Sequence, residues 1–347
     1  MSVTPSSAPI HYREDIGLFH ESIDLEANRR GYVGFDIAPI IETGRKRGRF
    51  TKFSIGQKLQ GRVDDTRTPR GGYNRLEQTF GEGVYSCEER GLEFPVDASN
   101  AAEWEEMIDL YDVGVEQLQQ HIAQNHEVRV MDKINAVVPE YTLLDAERWH
   151  LDSALVTVLF NQLKFNFRLR TGVMPNCLVL DIAVVDRLFE NASVLEKLGS
   201  GAGNTVDHET VIADRSRENR KRRLDLLAIA LGIDEVIAAD SVKNAGAHGV
   251  DLGTGEELPA VLDVTFPLTK AVLMRKQTAK STREIQWLRT IHWNKVGSRP
   301  GGGFEEYPEP QTAREILRMI FNYSLTEINK EAVMVIDNVV DETKLGT

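Results

Sequence analysis

The chain has 347 residues, 41% of them apolar and 27% charged, and a net charge of −12. That is ordinary globular composition with material for more than one lobe, and its acidic balance argues against a general nucleic-acid binder, which carries dense basic contacts to phosphate. No run nears the ~18 apolar residues of a membrane span. The polar N-terminus has no apolar signal core. Two cysteines far apart, Cys87 and Cys177, permit neither a disulfide framework nor a zinc spacing and read as reduced thiols.

Residues 1–48 lack periodicity and read as an extended arm that orders only against something else. Residues 49–95 alternate weakly through Phe50, Phe53, Ile55, Leu59 and Val63 and are punctuated by glycine, which predicts a long hairpin-like loop with little core of its own. Residues 100–134 predict a long helix. Asn100 and Glu103 form an approximate capping box, and Trp104, Ile108, Tyr111, Val115, Leu118 and Ile122 form one apolar stripe. Such a helix is roughly 50 Å long, with Gly114 as a possible bend.

A second helix is expected from Ser153 to Arg170, apolar all round and therefore buried, with Gly172 as its C-terminal cap. A mixed α/β stretch follows. It has a strand at Cys177–Leu180, a helix carrying Val184, Val185, Leu188 and Phe189, a basic helix from near Ser216 to before Gly232, and a strand at Ile233–Ala239. Strand-like runs at 270–275 and 284–293, a Pro/Gly loop at 299–310 and a terminal hairpin turning at Thr326–Asn329 complete an α+β chain.

The charge is distributed unevenly. Residues 44–75 hold Arg45, Lys46, Arg47, Arg49, Lys52, Lys58, Arg62, Arg67, Arg70 and Arg75 against Asp64 and Asp65, a net of +8. Residues 93–127 hold Glu93, Asp97, Glu103, Glu105, Glu106, Asp109, Asp112, Glu116 and Glu127 with no Lys or Arg, a net of −9, and read as one acidic helix. A basic loop that cannot bury itself, beside a helix of opposite charge, points to a molecule that grips copies of itself. The arginine-rich start of the helix near Ser216 likewise calls for an acidic surface facing it, because cations are unfavourable at a helix N-terminus.

No catalytic arrangement stands out. Gly199–Asn204 follows a helix and lacks a terminal Gly-Lys-Ser/Thr, so it reads as a loop rather than a phosphate cradle. His121 and His126 are five apart, about 140° around a helix, and do not share a metal face. No nucleophile motif, metal set or cofactor motif appears, so the expectation is a protein without enzymatic activity, cofactor or metal.

Four ordered blocks carry a resemblance. They are Asp36-Ile-Ala-Pro39 with Gly48-Arg-Phe50-Thr-Lys-Phe53; Tyr85-Ser-Cys-Glu-Glu-Arg-Gly-Leu-Glu93-Phe-Pro-Val-Asp97; Thr171-Gly-Val-Met-Pro175-Asn-Cys-Leu-Val-Leu180; and Leu231-Gly-Ile-Asp-Glu-Val-Ile237. In this order the chain resembles the major capsid proteins of tailed bacteriophages, which share the Hong Kong-phage capsid fold. It departs from them at Ile40-Ile41-Glu42, where relatives often have a second proline.

The resemblance implies an N-terminal arm (1–48), an extended loop (49–95), a peripheral domain with the spine helix (96–139), an axial domain (140–300) and return strands of the peripheral domain (301–347). It implies hexamers and pentamers of an icosahedral head around double-stranded DNA, held without sequence-specific contacts. The partners would be a separate scaffolding protein, a portal and a possible decoration protein; the site would be a virion assembled in the host cytoplasm. An encapsulin-type compartment shell is the alternative. In this fold the extended loop lies over a neighbour's peripheral domain. The intersubunit set is then Arg45, Arg47, Arg49, Lys52, Lys58, Arg62, Arg67 and Arg70 against Glu103, Glu105, Glu106, Asp109, Asp112 and Glu116. Some relatives cross-link a lysine to an asparagine. Lys52 and Lys58 lie in that region, but no feature identifies a partner.

Overall fold

The computed structural model describes residues 31–53, 80–97, 109–201, 217–244, 262–277, 284–295, 302–310, 314–341 and 343. The arm begins with one helical turn, α1 (Gly34–Ile37), and a strand, β1 (Ile40–Thr43). A ribbon of β2 (Arg47–Phe53) and β3 (Phe80–Ser86) follows, then β4 (Gly91–Asp97). The long helix α2 (Leu110–Asn135) leads to β5 (Tyr141–Thr142) and helix α3 (Val156–Thr171). An α/β run comes next: β6 (Cys177–Asp181), α4 (Ile182–Glu190), α5 (Ala192–Gly201), α6 (Arg217–Leu231) and β7 (Glu235–Ala239). Strands dominate the remainder: β8 (Val242–Asn244), β9 (Leu262–Val264), β10 (Ala271–Met274), β11 (Leu288–Trp293), β12 (Gly303–Glu309), β13 (Arg314–Ile320), β14 (Tyr323–Glu327) and β15 (Val333–Asp337).

A five-stranded mixed sheet, ordered β5-β15-β10-β6-β7, is covered on both faces. The period-2 alternation of a strand divides its side chains. Leu178 and Leu180 join one core with Phe160, Leu163 and Phe167 of α3 and Leu188 of α4. Cys177 and Val179 join another core with Val130, Met131 and Ile134 of α2 and Val33 and Ile37 of the arm. This sheet and its helices match the expected α/β stretch, with Gly172 at φ 74° as the left-handed cap of α3.

A three-stranded sheet, β12-β13-β4, packs on the first half of α2 through Val115, Leu118 and Ile122. The long helix thus joins the two sheets. It starts at Leu110 rather than near Asn100, because Asp109 adopts extended backbone and its carboxylate accepts the Tyr111 N–H at 2.8 Å. Its 26 residues give a length of about 39 Å. Asn100, Glu103, Trp104, Glu105, Glu106 and Ile108 lie outside the described residues. Gly114 serves close packing rather than a bend: a Cβ there would sit 2.6 Å from Cδ1 of Phe94 on β4.

Four further expectations are corrected. The terminal strands do not form a hairpin: β13 pairs with β12 and β4, β14 with β11, and β15 with β10 and β5. Three alternating runs close in sequence share one local pattern, and only long-range burial sorts them into three sheets. The expected loop at 299–310 contains β12, whose Pro308 is tolerated because this is an edge strand. Gly199–Gly201 closes helix α5. Helix α3 is buried on one face only; Leu155, Val158, Phe165 and Leu169 are exposed.

Candidate assembly surfaces

The first surface is the ribbon. β2 and β3 pair antiparallel from Arg47↔Ser86 to Phe53↔Phe80, and among the described residues no third strand joins them. Phe80 and Val84 are 56% and 68% exposed, so the ribbon is held by its own ladder and a few cross-strand contacts. Arg49 pairs with Glu82 across it at 3.1 Å, and the Lys52 ammonium lies 5.7 Å from the centre of the Phe50 ring. Residues 54–79, including Lys58, Arg62, Arg67 and Arg70, lie outside the described residues.

The root of the ribbon is fastened firmly. Cys87 N–H donates to the Lys46 carbonyl at 2.8 Å and Glu88 N–H to the Tyr323 carbonyl at 3.1 Å. Glu89 accepts from Lys46 at 2.6 Å and lies 3.4 Å from Lys295; these two cations hold its carboxyl below the usual range. The buried Cys87 thiol donates to the Ile291 carbonyl at 3.3 Å, and burial pushes its pKa up to about 11. Cys177 is likewise a buried free thiol. Beside the root, a cleft of about 430 Å³ opens between the ribbon, α2 and β14. Inside it Arg129 Nη1 donates to the Tyr323 hydroxyl at 2.6 Å, and the Arg90 and Arg129 guanidiniums lie 5.3 and 5.8 Å from the Tyr323 ring centre.

The second surface is the start of α2, and it is less acidic than the sequence reads. Residues 93–127 are not one helix. Glu93 and Asp97 lie on β4, where Arg318 bonds Glu93 at 2.6 Å and Arg314 approaches Asp97 at 3.6 Å across the sheet. Glu127 is buried. Asp109, Asp112 and Glu116 remain as exposed acids on the first turns of α2. There they favour the helix dipole, and Asp109 also caps. Arg45, Arg47, Arg49 and Lys52 belong to the ribbon and its approach, where Arg49 pairs with Glu82 and the neighbouring Lys46 with Glu89. The acids that face the basic helix are also within the chain: Arg220 pairs with Asp240 at 2.9 Å and Arg223 with Asp186 at 2.6 Å.

The third element is a seam that fastens the arm. β1 runs parallel to β11, from Ile40↔Thr290 to Thr43↔Trp293. Gly34 lies against α2 so closely that a Cβ would sit 2.7 Å from Glu127 Oε2 and 2.9 Å from His126 Nδ1. The Glu127 carboxylate accepts from the N–H groups of Val33 and Gly34 and from Ser241 Oγ, the last at 3.2 Å. Burial pushes its pKa up to about 7, and Asp36 adds to the rise. The Thr290 hydroxyl gives its one proton to the Ala38 carbonyl at 2.8 Å, so His126 Nε2, 2.9 Å away, must donate to it. Burial pulls the His126 pKa down to about 3, so the ring, stacked on Phe35 at 4.1 Å, is neutral with its proton on Nε2. The arm thus orders against its own chain from Gly31 onward, while residues 1–30 lie outside the described residues.

Sequence reasoning passed over this seam, although a signal existed. Glu127 occupies a position of the buried side of α2, four residues from both Ala123 and Met131, where a lone carboxylate needs dedicated donors. Among the described residues no three of His, Cys, Asp and Glu cluster as metal ligands would, and no helix is long and apolar enough to cross a membrane.

No model of a known protein family matches the sequence, and no curated protein does. Solved structures do match in fold. A phage-related protein from Bordetella bronchiseptica superposes with a TM-score of 0.60 over 96% of this chain and 99% of its own, at 14% identity. The mature capsid of bacteriophage PhiM1 gives 0.51 over 87% and 85%, at 13% identity. A holo encapsulin complex from Synechococcus elongatus gives 0.50 over 90% and 89%, at 11% identity. The chain has the α+β fold shared by phage capsids and encapsulin shells. The ribbon is its extended loop and α2 its spine helix.

Proposed function

We propose that this chain is the major shell subunit of a phage head, without catalytic activity or cofactor. The observation that carries the reading is the isolated ribbon. A two-stranded ribbon is marginal in water, and this one exposes Phe80 and Val84 while its root is fastened by β14, Glu89 and Cys87. A rigidly held element with uncovered apolar groups serves a neighbouring copy. The subunits then form hexamers and pentamers of an icosahedral shell assembled in the host cytoplasm, around double-stranded DNA held without sequence-specific contacts. A separate scaffolding protein and a portal assist, with a decoration protein as an optional addition. The basic residues of the loop, Arg45 through Arg70, lie across the acids of a neighbour's spine helix. Among the described acids Asp112 is exposed on the first turn of α2, whereas Asp109 is engaged as a cap.

The resemblance to an encapsulin favours one other reading, a cellular compartment of the same build. Electron microscopy of the purified chain tests the shell itself. Closed particles of regular size are expected, and a protein that stays monomeric under all assembly conditions would overturn the reading. A portal or terminase gene beside its own separates a phage head from a compartment.

A further inference from the structure

The cleft beside the root of the ribbon holds a cation without an offset. Arg129, Asp132, Lys133 and Ala136 of α2 line it, and the helical period places them in one stripe. Lys133 pairs with Glu327 at 3.2 Å and, on the side of the ribbon, Arg90 pairs with Glu88. Arg129 pairs with no acid among the described residues. Asp132 stands three residues on, where an intrahelical ion pair ordinarily forms, yet it is exposed to solvent and the guanidinium turns to the Tyr323 hydroxyl instead. That hydroxyl is no counter-charge, since burial pushes the Tyr323 pKa up and keeps the group neutral. The bond takes one N–H group of Arg129 and leaves the others for a ligand.

The third wall offers backbone. β14 is an edge strand of its sheet. The Asn322 carbonyl accepts from the Trp293 N–H, and the Ile328 N–H donates to the Trp287 carbonyl, so the even-numbered backbone groups face β11. By the alternation of an antiparallel ladder, those of Tyr323 and Leu325 point the other way. The Glu88 N–H takes the Tyr323 carbonyl, whereas Leu325, which lines the cleft, has no ladder partner on that side among the described residues.

A free strand edge recognises an extended chain through backbone bonds, and a guanidinium recognises a carboxylate through its fork. A peptide carrying an acidic side chain meets both. Charge decides against a phosphate. With Glu88 and Asp132 on the walls, its charge of about −1.5 to −2 is repelled more than the single charge of a carboxylate. The loop of a neighbouring copy is a poor occupant for the opposite reason, because residues 44–75 carry a net +8. Going beyond the shell reading, we propose that this cleft binds an extended segment of a separate protein, its backbone along the edge of β14 and its carboxylate on Arg129.

The test uses the full-length chain and a blocked, fluorescent peptide of alternating threonine and valine with one central glutamate, read by anisotropy. This probe is expected to bind about tenfold or more tightly than its glutamine twin. Arg129→Gln is expected to erase that ratio and to leave the weaker binding of the twin in place. Arg129 is half-buried and glutamine is a good helix former, so the fold is expected to hold. If the variant melts early, Arg129→Lys, which keeps the charge and removes the fork, is expected to shrink the ratio in its place. N-methylation along one edge of the probe removes its strand bonds and is expected to abolish binding of both peptides. Equal binding of the two peptides by the wild type, a ratio unchanged in the Arg129 variant, or binding that survives N-methylation overturns the proposal. So does phosphate that displaces the probe at lower concentration than acetate at matched ionic strength. Assembled particles are expected to bind the probe as the free subunit does; loss of binding on assembly would give the cleft to a neighbouring copy and overturn the separate partner.

Discussion

The five-stranded sheet and the ribbon are both β-structure, and they are stabilised in opposite ways. In the sheet every residue of β6 and β10 is buried, one set of side chains facing the helices α3 and α4 and the other facing α2 and the arm. In the ribbon the residues of β3 are mostly exposed, and the strands rely on their ladder and on pairs such as Arg49–Glu82. The sheet carries its own cover. Among the described residues the ribbon has none, so the same backbone geometry is covered on both faces in one place and largely exposed in the other. The arm seam lies between these extremes, since it is buried but closes around a carboxylate and a histidine.

Three variants separate the two regimes. The largest effect on the subunit belongs to the core under the sheet. Phe167→Ala is expected to cost about 3–5 kcal/mol of unfolding free energy in chemical denaturation, and particles should vanish with the fold. A loss below about 1 kcal/mol would show that α3 is not anchored as described.

The seam comes next, and it is read by pH. The Glu127 carboxyl, ordinarily near 4.5, is raised to about 7, so the folded chain keeps that proton to higher pH than the unfolded chain does. Stability from this group is therefore full below about 4.5 and is lost as pH rises through about 7. His126 works the other way: its pKa falls from 6.5 to about 3, so its contribution is full above 6.5 and is lost on acidification. Comparing wild type with Glu127→Gln at each pH isolates the carboxyl. The wild type should lose about 3 kcal/mol relative to the variant between pH 4.5 and 8. A difference independent of pH would mean that Glu127 does not titrate in this window.

The smallest effect on the subunit is expected in the ribbon. Phe80→Ser/Val84→Ser should change unfolding free energy by no more than about 0.5 kcal/mol, because exposed positions contribute little within the monomer. The same variant should assemble poorly. Normal particle yield by electron microscopy would show that the ribbon needs no cover.

Much of this was legible along the chain. The α/β stretch from α3 to β7 follows from period, caps and breaker residues, all of which act within a turn or two, as at Gly172. The stripe of Val115, Leu118 and Ile122 marked the buried face of α2, and the glycine-rich, basic loop marked the ribbon. What misled were features whose meaning depends on distant partners. Glu93 and Asp97 look like helix acids until Arg318 and Arg314 are seen across a sheet. Helix α3 looks buried all round because sequence reports how many apolar residues there are, not how many faces the fold covers. The strands β13, β14 and β15 read as a hairpin because local alternation is the same for every pairing.

By itself, then, the sequence determined most of the elements, their order and the uneven charge, since these rest on local backbone preference and on composition, while the resemblance to a capsid chain rests on four ordered blocks of residues. Tertiary structure decided which strands pair, which charges are spent inside the subunit and which apolar side chains stay exposed. It placed Gly34 on Glu127, joined two sheets through one helix and left one face of α3 bare. The physical reason is that pairing and burial are settled between residues some 100 to 200 positions apart, such as Cys87 and Ile291, and no local pattern encodes which of several equivalent partners will meet.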